Sequence, residues 1–123
     1  MNVYEINNNL TKTVQKGWGH ELWIHNDEKY CGKLLFLKKG KKCSLHYHKL
    51  KTETFYIQQG VLDCTFYMLD EPEQKVNIVL KEGDVKEIPP GLVHQMRAVE
   101  DTVLFEFSTQ HFDSDSYRIE KGD

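Results

Sequence analysis

Between Gly40 and Gly60 the chain reads GKKCSLHYHKLKTETFYIQQG, and no other stretch restricts the fold so tightly. His46 and His48 are one residue apart, so on an extended strand both imidazoles leave the same face and their nitrogens converge. Lys49 to Thr52 is short and polar enough for a turn. It is expected to return the chain antiparallel, so that Glu53 brings a carboxylate oxygen to the same point. Gly60 closes the second strand.

A complementary stretch, GDVKEIPPGLVHQMRA, runs from Gly83 to Ala98. Asp84 precedes the alternating strand Val85 to Ile88. Pro89-Pro90-Gly91 then removes two backbone donors and supplies a residue free to take positive φ, which a sharp corner needs. His94 begins the next strand and, facing inward, is a third imidazole. Three neutral nitrogens and one carboxylate suit Zn, Mn, Fe, Co or Ni and leave one or two positions for water or substrate. One divalent ion is therefore the expected cofactor, with His46, His48, Glu53 and His94 as ligands. Its occupancy is expected to fall below the imidazole range near about 6.5, where protonated histidine has no lone pair to give.

Both stretches resemble the paired motifs of the cupin superfamily. The first motif, G-x5-H-x-H-x4-E-x6-G, is met at Gly40, His46, His48, Glu53 and Gly60. The second, G-x5-P-x-G-x2-H-x3-N, is met at Gly83, Pro89, Gly91 and His94, with Ala98 in place of the asparagine. The resemblance implies an all-β fold with little helix: a small antiparallel barrel of two sheets, the double-sheet jelly roll. The three ligand-bearing strands are expected to be neighbours. Alternation then points Ser44, His46 and His48 inward from one strand, Glu53, Phe55 and Ile57 from the next, and His94, Met96 and Ala98 from the third.

The chain's 123 residues suffice for one domain and are too few for two. A core of about 17–110 is expected, with an N-terminal arm 1–16 and a polar, loosely packed tail 111–123. Sixteen basic residues against 19 acidic ones give a net charge of -3, so no electrostatic case exists for nucleic acid or an anionic membrane. Cys31, Cys43 and Cys64 are an odd number without metal or redox spacing, which points to buried free thiols in a reducing compartment. The N-terminus lacks the pattern of a signal peptide and no apolar run approaches membrane length. A soluble, cytoplasmic protein is expected.

The segment VQKGWGHELWIHNDEKY reads as an edge hairpin, with Trp18 and Trp23 as barrel-packing or dimer-contact aromatics. His20 and His25 are expected to be exposed and are not counted as ligands. Strands follow at Lys33 to Lys39, Val61 to Leu69, Val76 to Leu80 and Thr102 to Thr109. Lys33 to Lys39 has apolar residues on both faces, one for the barrel and one for a second sheet. Lys38, Lys39, Lys41 and Lys42 form either a solvated loop or a phosphate site. Glu106 stands alone among apolar residues: it faces solvent, or it enters the cavity, where desolvation would raise its pKa.

A narrower resemblance, from Gly17 onward, is to the C-terminal cupin of bifunctional phosphomannose isomerase and mannose-1-phosphate guanylyltransferase enzymes, and to free-standing isomerase-like cupins. Trp18-Gly19 with Glu21, Ser44-Leu45, Ile88-Pro89-x-Gly91-x-x-His94, Glu106 and Asp115-x-x-Arg118 carry it. Those bifunctional enzymes typically hold glutamine at the position of His46, so this chain has a fuller metal shell. Nothing here matches their nucleotidyltransferase half, and guanylyl transfer is not expected. The resemblance implies a metal-dependent aldose-ketose isomerase acting on a sugar or sugar phosphate. In that reading Glu106 is the catalytic base, Glu53 a second candidate, and Lys38, Tyr56 and Arg118 hold substrate. A mononuclear iron dioxygenase and a non-catalytic sugar-binding or regulatory cupin stay open beside it. A homodimer is expected, since small barrels protect their edge strands by pairing.

Overall fold

Alternation of buried and less buried side chains sets the strands of the computed structural model, which describes residues 2–123. In β3 (Cys31–Leu37), Cys31, Lys33, Leu35 and Leu37 are buried and the residues between them are half-exposed. The same two-residue period runs through β5 (Glu53–Gln59), β6 (Val61–Met68), β9 (Leu92–Ala98) and β10 (Thr102–Ser108). Their inward side chains form one core that includes Leu35, Leu37, Phe55, Ile57, Leu62, Phe66, Met96 and Leu104. Each such side chain removed from water contributes roughly 1.5–3 kcal/mol.

The remaining strands are β1 (Lys12–Lys16), β2 (Gly19–Asn26), β4 (Leu45–Tyr47), β7 (Val76–Lys81), β8 (Val85–Ile88) and β11 (Tyr117–Glu120). Every pairing is antiparallel. They make a six-stranded sheet ordered β1-β2-β3-β10-β5-β8 and a five-stranded sheet ordered β11-β4-β9-β6-β7. Face to face, the two sheets form the jelly roll. Among the described residues helix is confined to three single turns, at Asn8–Leu10, Pro72–Gln74 and Asp113–Asp115. Among the described residues no helix is long and apolar enough to cross a membrane. The three cysteines are free and buried.

Three expectations are corrected. Lys49 to Thr52 does not turn a hairpin, because β4 and β5 lie in different sheets and the segment crosses from one to the other. Glu53 therefore meets the histidines from across the barrel, not from a neighbouring strand. The tail is not loosely packed: β11 pairs with β4, setting Arg118 opposite His46 and Tyr117 opposite Tyr47. His20 and His25 are half-buried rather than exposed, His20 stacked on Phe36 and His25 on Tyr30. Phe36 and Leu34, on the outer face of β3, are themselves half-buried.

Gly60 joins β5 to β6 at φ 101°, and a Cβ there would run into the Asp101 carbonyl and Thr102. Gly40 has a similar φ of 84° but open space around it. Gly60→Ala should lower stability by more than about 1 kcal/mol, a fall in Tm of at least about 3 °C, and should cost more than Gly40→Ala. Thermal melts of the two variants check the order.

Candidate metal centre

β4 is short, but its pairing with β9 sets His46 opposite His94. His48 lies just beyond the end of β4, two residues along the same face. Its carbonyl accepts the Gly91 N–H at 2.8 Å, which ties it to the Pro89-Pro90-Gly91 corner. The result is a cluster in which the ligand atoms of His46, His48 and His94 lie within 4.8 Å of one another. Glu53 opens β5 on the facing sheet, and its Oε2 is 3.6 Å from Nε2 of both His48 and His94.

Hydrogen bonds decide which nitrogens are free. Nδ1 of His46 is 3.0 Å from the Ser44 carbonyl, Nδ1 of His48 is 2.9 Å from the Asp115 carbonyl, and Nδ1 of His94 is 2.9 Å from the Leu92 carbonyl. A carbonyl only accepts, so each Nδ1 that bonds to one carries the proton and donates it; at His46 the Ser44 hydroxyl, also 3.0 Å from Nδ1, shares that proton as a second acceptor. Each Nε2 is left with a lone pair. Burial, the dominant cause, lowers the pKa of His46 to about 3 and those of His48 and His94 to about 4. The trio is neutral at any physiological pH.

Glu53 is divided between two environments. Its Oε1 accepts from Lys51 Nζ at 2.8 Å, while its buried Oε2 has no hydrogen-bond partner. An orphaned carboxylate oxygen costs free energy unless something satisfies it. Donors spread around a tetrahedral ion with bonds of about 2.1 Å sit about 3.4 Å apart, close to the 3.6 Å seen between Oε2 and two of the imidazoles. Three lone pairs and one unsatisfied oxygen fit a divalent transition metal.

Lys51 was not singled out from the sequence, yet it organises the other half of the site. Its ammonium, in a side chain only 2% exposed, donates to Glu53 Oε1, to Glu106 Oε2 at 3.1 Å and to His111 Nδ1 at 2.9 Å. Three protons meet three acceptors, so Lys51 is saturated and is not a base. His111 then holds its proton on Nε2 and donates it to Asp113 at 3.0 Å. Lys33, opposite Glu106 in the β3–β10 register, places Nζ 4.0 Å from that carboxylate and 3.7 Å from Glu21.

The two buried carboxyls titrate in opposite directions. Burial and the Glu106 charge hold Glu53 well above the usual carboxylate range, against the pull of Lys51. Burial also acts to raise Glu106, but Lys51 and Lys33 overcome it and keep Glu106 low and anionic. Glu106 thus enters the cavity, as one of its two expected placements held, but its pKa falls where desolvation alone would raise it.

These groups line a cavity of about 480 Å³. Trp18, Leu35, Phe55 and Met96 give it an apolar wall, and exposed Lys16, Arg118 and Lys121 stand at its mouth. Trp18 and Trp23 both line it, with Lys33 Nζ 4.1 Å from the Trp23 ring. Of the expected substrate residues, only Arg118 reaches the cavity. Lys38 lies just past β3 and is exposed, and Tyr56 points outward because alternation turns Glu53 and Phe55 inward on either side of it. Lys39, Lys41 and Lys42 are exposed in the loop beyond Lys38 and do not line it either. Lys51 was legible in principle, since it shares the inward face two residues before Glu53. His111 had no such signal, and Asp115 had one only through the resemblance, in Asp115-x-x-Arg118, which assigned it no role.

The cupin family model matches residues 19–119, taking in both histidine stretches and the C-terminal strand. The chain is a cupin. Among solved structures, the cupin is similar to the capsular polysaccharide assembling protein CapF from Staphylococcus aureus, with TM-score 0.79 and 19% identity over 89% of this chain and 32% of that one. It is also similar to oxalate decarboxylase from Bacillus subtilis, with TM-score 0.76 and 22% identity over 90% of this chain and 30% of that one. The cupin spans about a third of either neighbour, and at these identities the likeness is one of fold. No match was found among curated proteins.

Two measurements check the centre. In the metal-free cupin Glu53 holds a proton at pH 6 that a bound cation must displace, whereas the imidazoles are already deprotonated down to about 4. Calorimetry at pH 6 in buffers of different ionisation enthalpy should show about one proton released per zinc ion. Affinity should weaken by about tenfold per pH unit there, steepening only below about pH 4. Only the histidines' share of the loss thus moves well below the 6.5 expected for unshifted imidazoles, while the single Glu53 proton weakens binding gradually through that range; a steep multi-proton loss near 6.5 would contradict the buried cluster. Separately, Lys51→Met leaves two buried carboxyls without their shared cation and should cost about 3 kcal/mol in denaturant melts.

Proposed function

We propose that this cupin is a metal-dependent aldose-ketose isomerase of the mannose-6-phosphate isomerase kind, acting on a sugar or sugar phosphate. The observation that carries the reading is the pairing of an unsatisfied metal-facing oxygen on Glu53 with a second, anionic carboxylate, Glu106, in the same cavity. His46, His48, Glu53 and His94 are the residues that would hold one divalent ion, which when bound supplies Lewis-acid polarisation of adjacent carbonyl and hydroxyl oxygens.

Glu106 is the base. Its carboxylate takes the proton from C2 of the aldose, the C–H electron pair becomes the C1=C2 double bond, and the carbonyl oxygen takes up the negative charge. Return of that proton to C1, with the hydroxyl proton passing from O2 to O1, gives the ketose. Glu106 is unprotonated when substrate arrives, and polarisation of the carbonyl by the bound ion would offset the low basicity of a carboxylate held this low. Lys51 and Lys33 hold it in place. Exposed Arg118, Lys121 and Lys16 at the mouth support a phosphate-bearing substrate, and a cavity of about 480 Å³ falls within the usual range for small-molecule sites. The reading includes a cytoplasmic homodimer, supported by exposed Val76, Ile78 and Val79 on the edge strand β7; sedimentation equilibrium measures it.

A mononuclear iron dioxygenase is the second reading, favoured by the apolar wall of Trp18, Leu35, Phe55 and Met96 beside the histidines. Incubation of the metal-loaded cupin with mannose 6-phosphate in deuterated water separates the two. Isomerisation predicts ketose carrying deuterium at C1, and deuterium at C2 of recovered mannose 6-phosphate through the reverse reaction, without oxygen, and Glu106→Gln should lower the rate by about 10²–10⁴-fold while retaining metal. Absence of both ketose and exchange, with metal bound, counts against it; oxygen uptake with iron would favour the dioxygenase, and binding without turnover a sugar-binding cupin.

A further inference from the structure

We propose that Asp115 is a positioning residue for the metal centre, clasping His48 and Lys51 from the C-terminal segment; this rests on the metal-site reading above. Asp115 sits in the single helical turn Asp113–Asp115 before β11 and is only 3% exposed. Its backbone carbonyl accepts from His48 Nδ1 at 2.9 Å. Its carboxylate accepts three successive backbone N–H groups: Lys49 at 2.9 Å, Leu50 at 3.1 Å and Lys51 at 3.0 Å. No lysine or arginine pairs with that carboxylate among the described ion pairs.

Those three amides belong to the segment that crosses between the sheets, from the last histidine of one to Glu53 of the other. A crossing segment has no ladder to fix it, so its donors need another acceptor. Asp115 provides one and so sets the approach of two functional side chains together. One end of the segment holds His48 with its Nε2 turned to the cluster. The other starts the Lys51 side chain toward Glu53, Glu106 and His111. β11, paired with β4, anchors the clasp to the same strand that carries His46.

The clasp should therefore govern metal geometry more than overall stability. Cobalt(II) titration, followed by the visible spectrum, and amide exchange of the metal-free protein are the readouts. Asp115→Ala should weaken cobalt binding by about 10–100-fold, alter the band shape through loss or reorientation of His48, and speed exchange at Lys49, Leu50 and Lys51. Asp115→Asn, which keeps an acceptor oxygen, should recover part of each effect and covers the case in which the alanine variant does not fold. Leu80→Ala, in the core but away from the cavity, is the control for lost stability. Equal weakening by Leu80→Ala at the same Tm, or an Asp115→Asn spectrum and exchange pattern like wild type with no loss of affinity, overturns the clasp. Failure of the wild-type protein to bind cobalt overturns the metal reading instead, and the exchange data on the metal-free protein still decide whether Asp115 orders the segment.

Discussion

Everything about this site depends on how the Glu53 carboxyl group is shared. One oxygen is saturated by a buried ammonium and the other is turned, unpaired, toward the Nε2 lone pairs of His48 and His94. Taking a carboxylate out of water costs several kcal/mol, and a single hydrogen-bonded cation offsets only part of that, so Glu53 titrates high and would ionise fully only when a second cation meets its free oxygen. A fold that left the second oxygen unsatisfied for no purpose would be giving up stability. The orientation of all three Nδ1 protons toward backbone carbonyls removes the alternative in which one histidine donates to Glu53.

The two sheets divide the work. The five-stranded sheet supplies the imidazoles through the β4–β9 pair, and the six-stranded sheet supplies the carboxylates and lysines through β3, β5 and β10. Neutral nitrogen donors and the charged groups are thereby kept on opposite walls of one cavity. Lys51 lies where the chain passes from one wall to the other, which is why a single side chain reaches both carboxylates and His111. Burial of an Asp or Glu beside two lysines, and of another with only one, sets the contrasting protonation of Glu106 and Glu53 without any difference in residue type.

Much of this was readable in the residues. The spacing of His46, His48, Glu53 and His94 located the cluster because a two-residue period and a Pro-Pro-Gly corner are local properties, and local properties survive in a linear sequence. The sheet membership of Glu53 was not readable, since a short polar segment serves equally as a hairpin turn or as a crossing between layers. Tyr56 was misplaced although the alternation that points Glu53 inward also turns its neighbour outward. Lys51 is hard to tell from a solvated lysine in the sequence, because it stands among polar residues and its burial depends on partners from β5, β10 and the tail. The docking of 111–123 was equally hidden: its contacts with Lys49 to Lys51 span more than sixty residues of chain.

The central claim is that one divalent ion sits among His46, His48, Glu53 and His94, and anomalous scattering from crystals grown with zinc tests it most directly. A single strong peak about 2.0–2.2 Å from the Nε2 atoms and Glu53 Oε2 is the predicted result. A zinc-loaded crystal with its peak elsewhere, for example on His111 and Asp113, or with an imidazole bound through Nδ1, would contradict it.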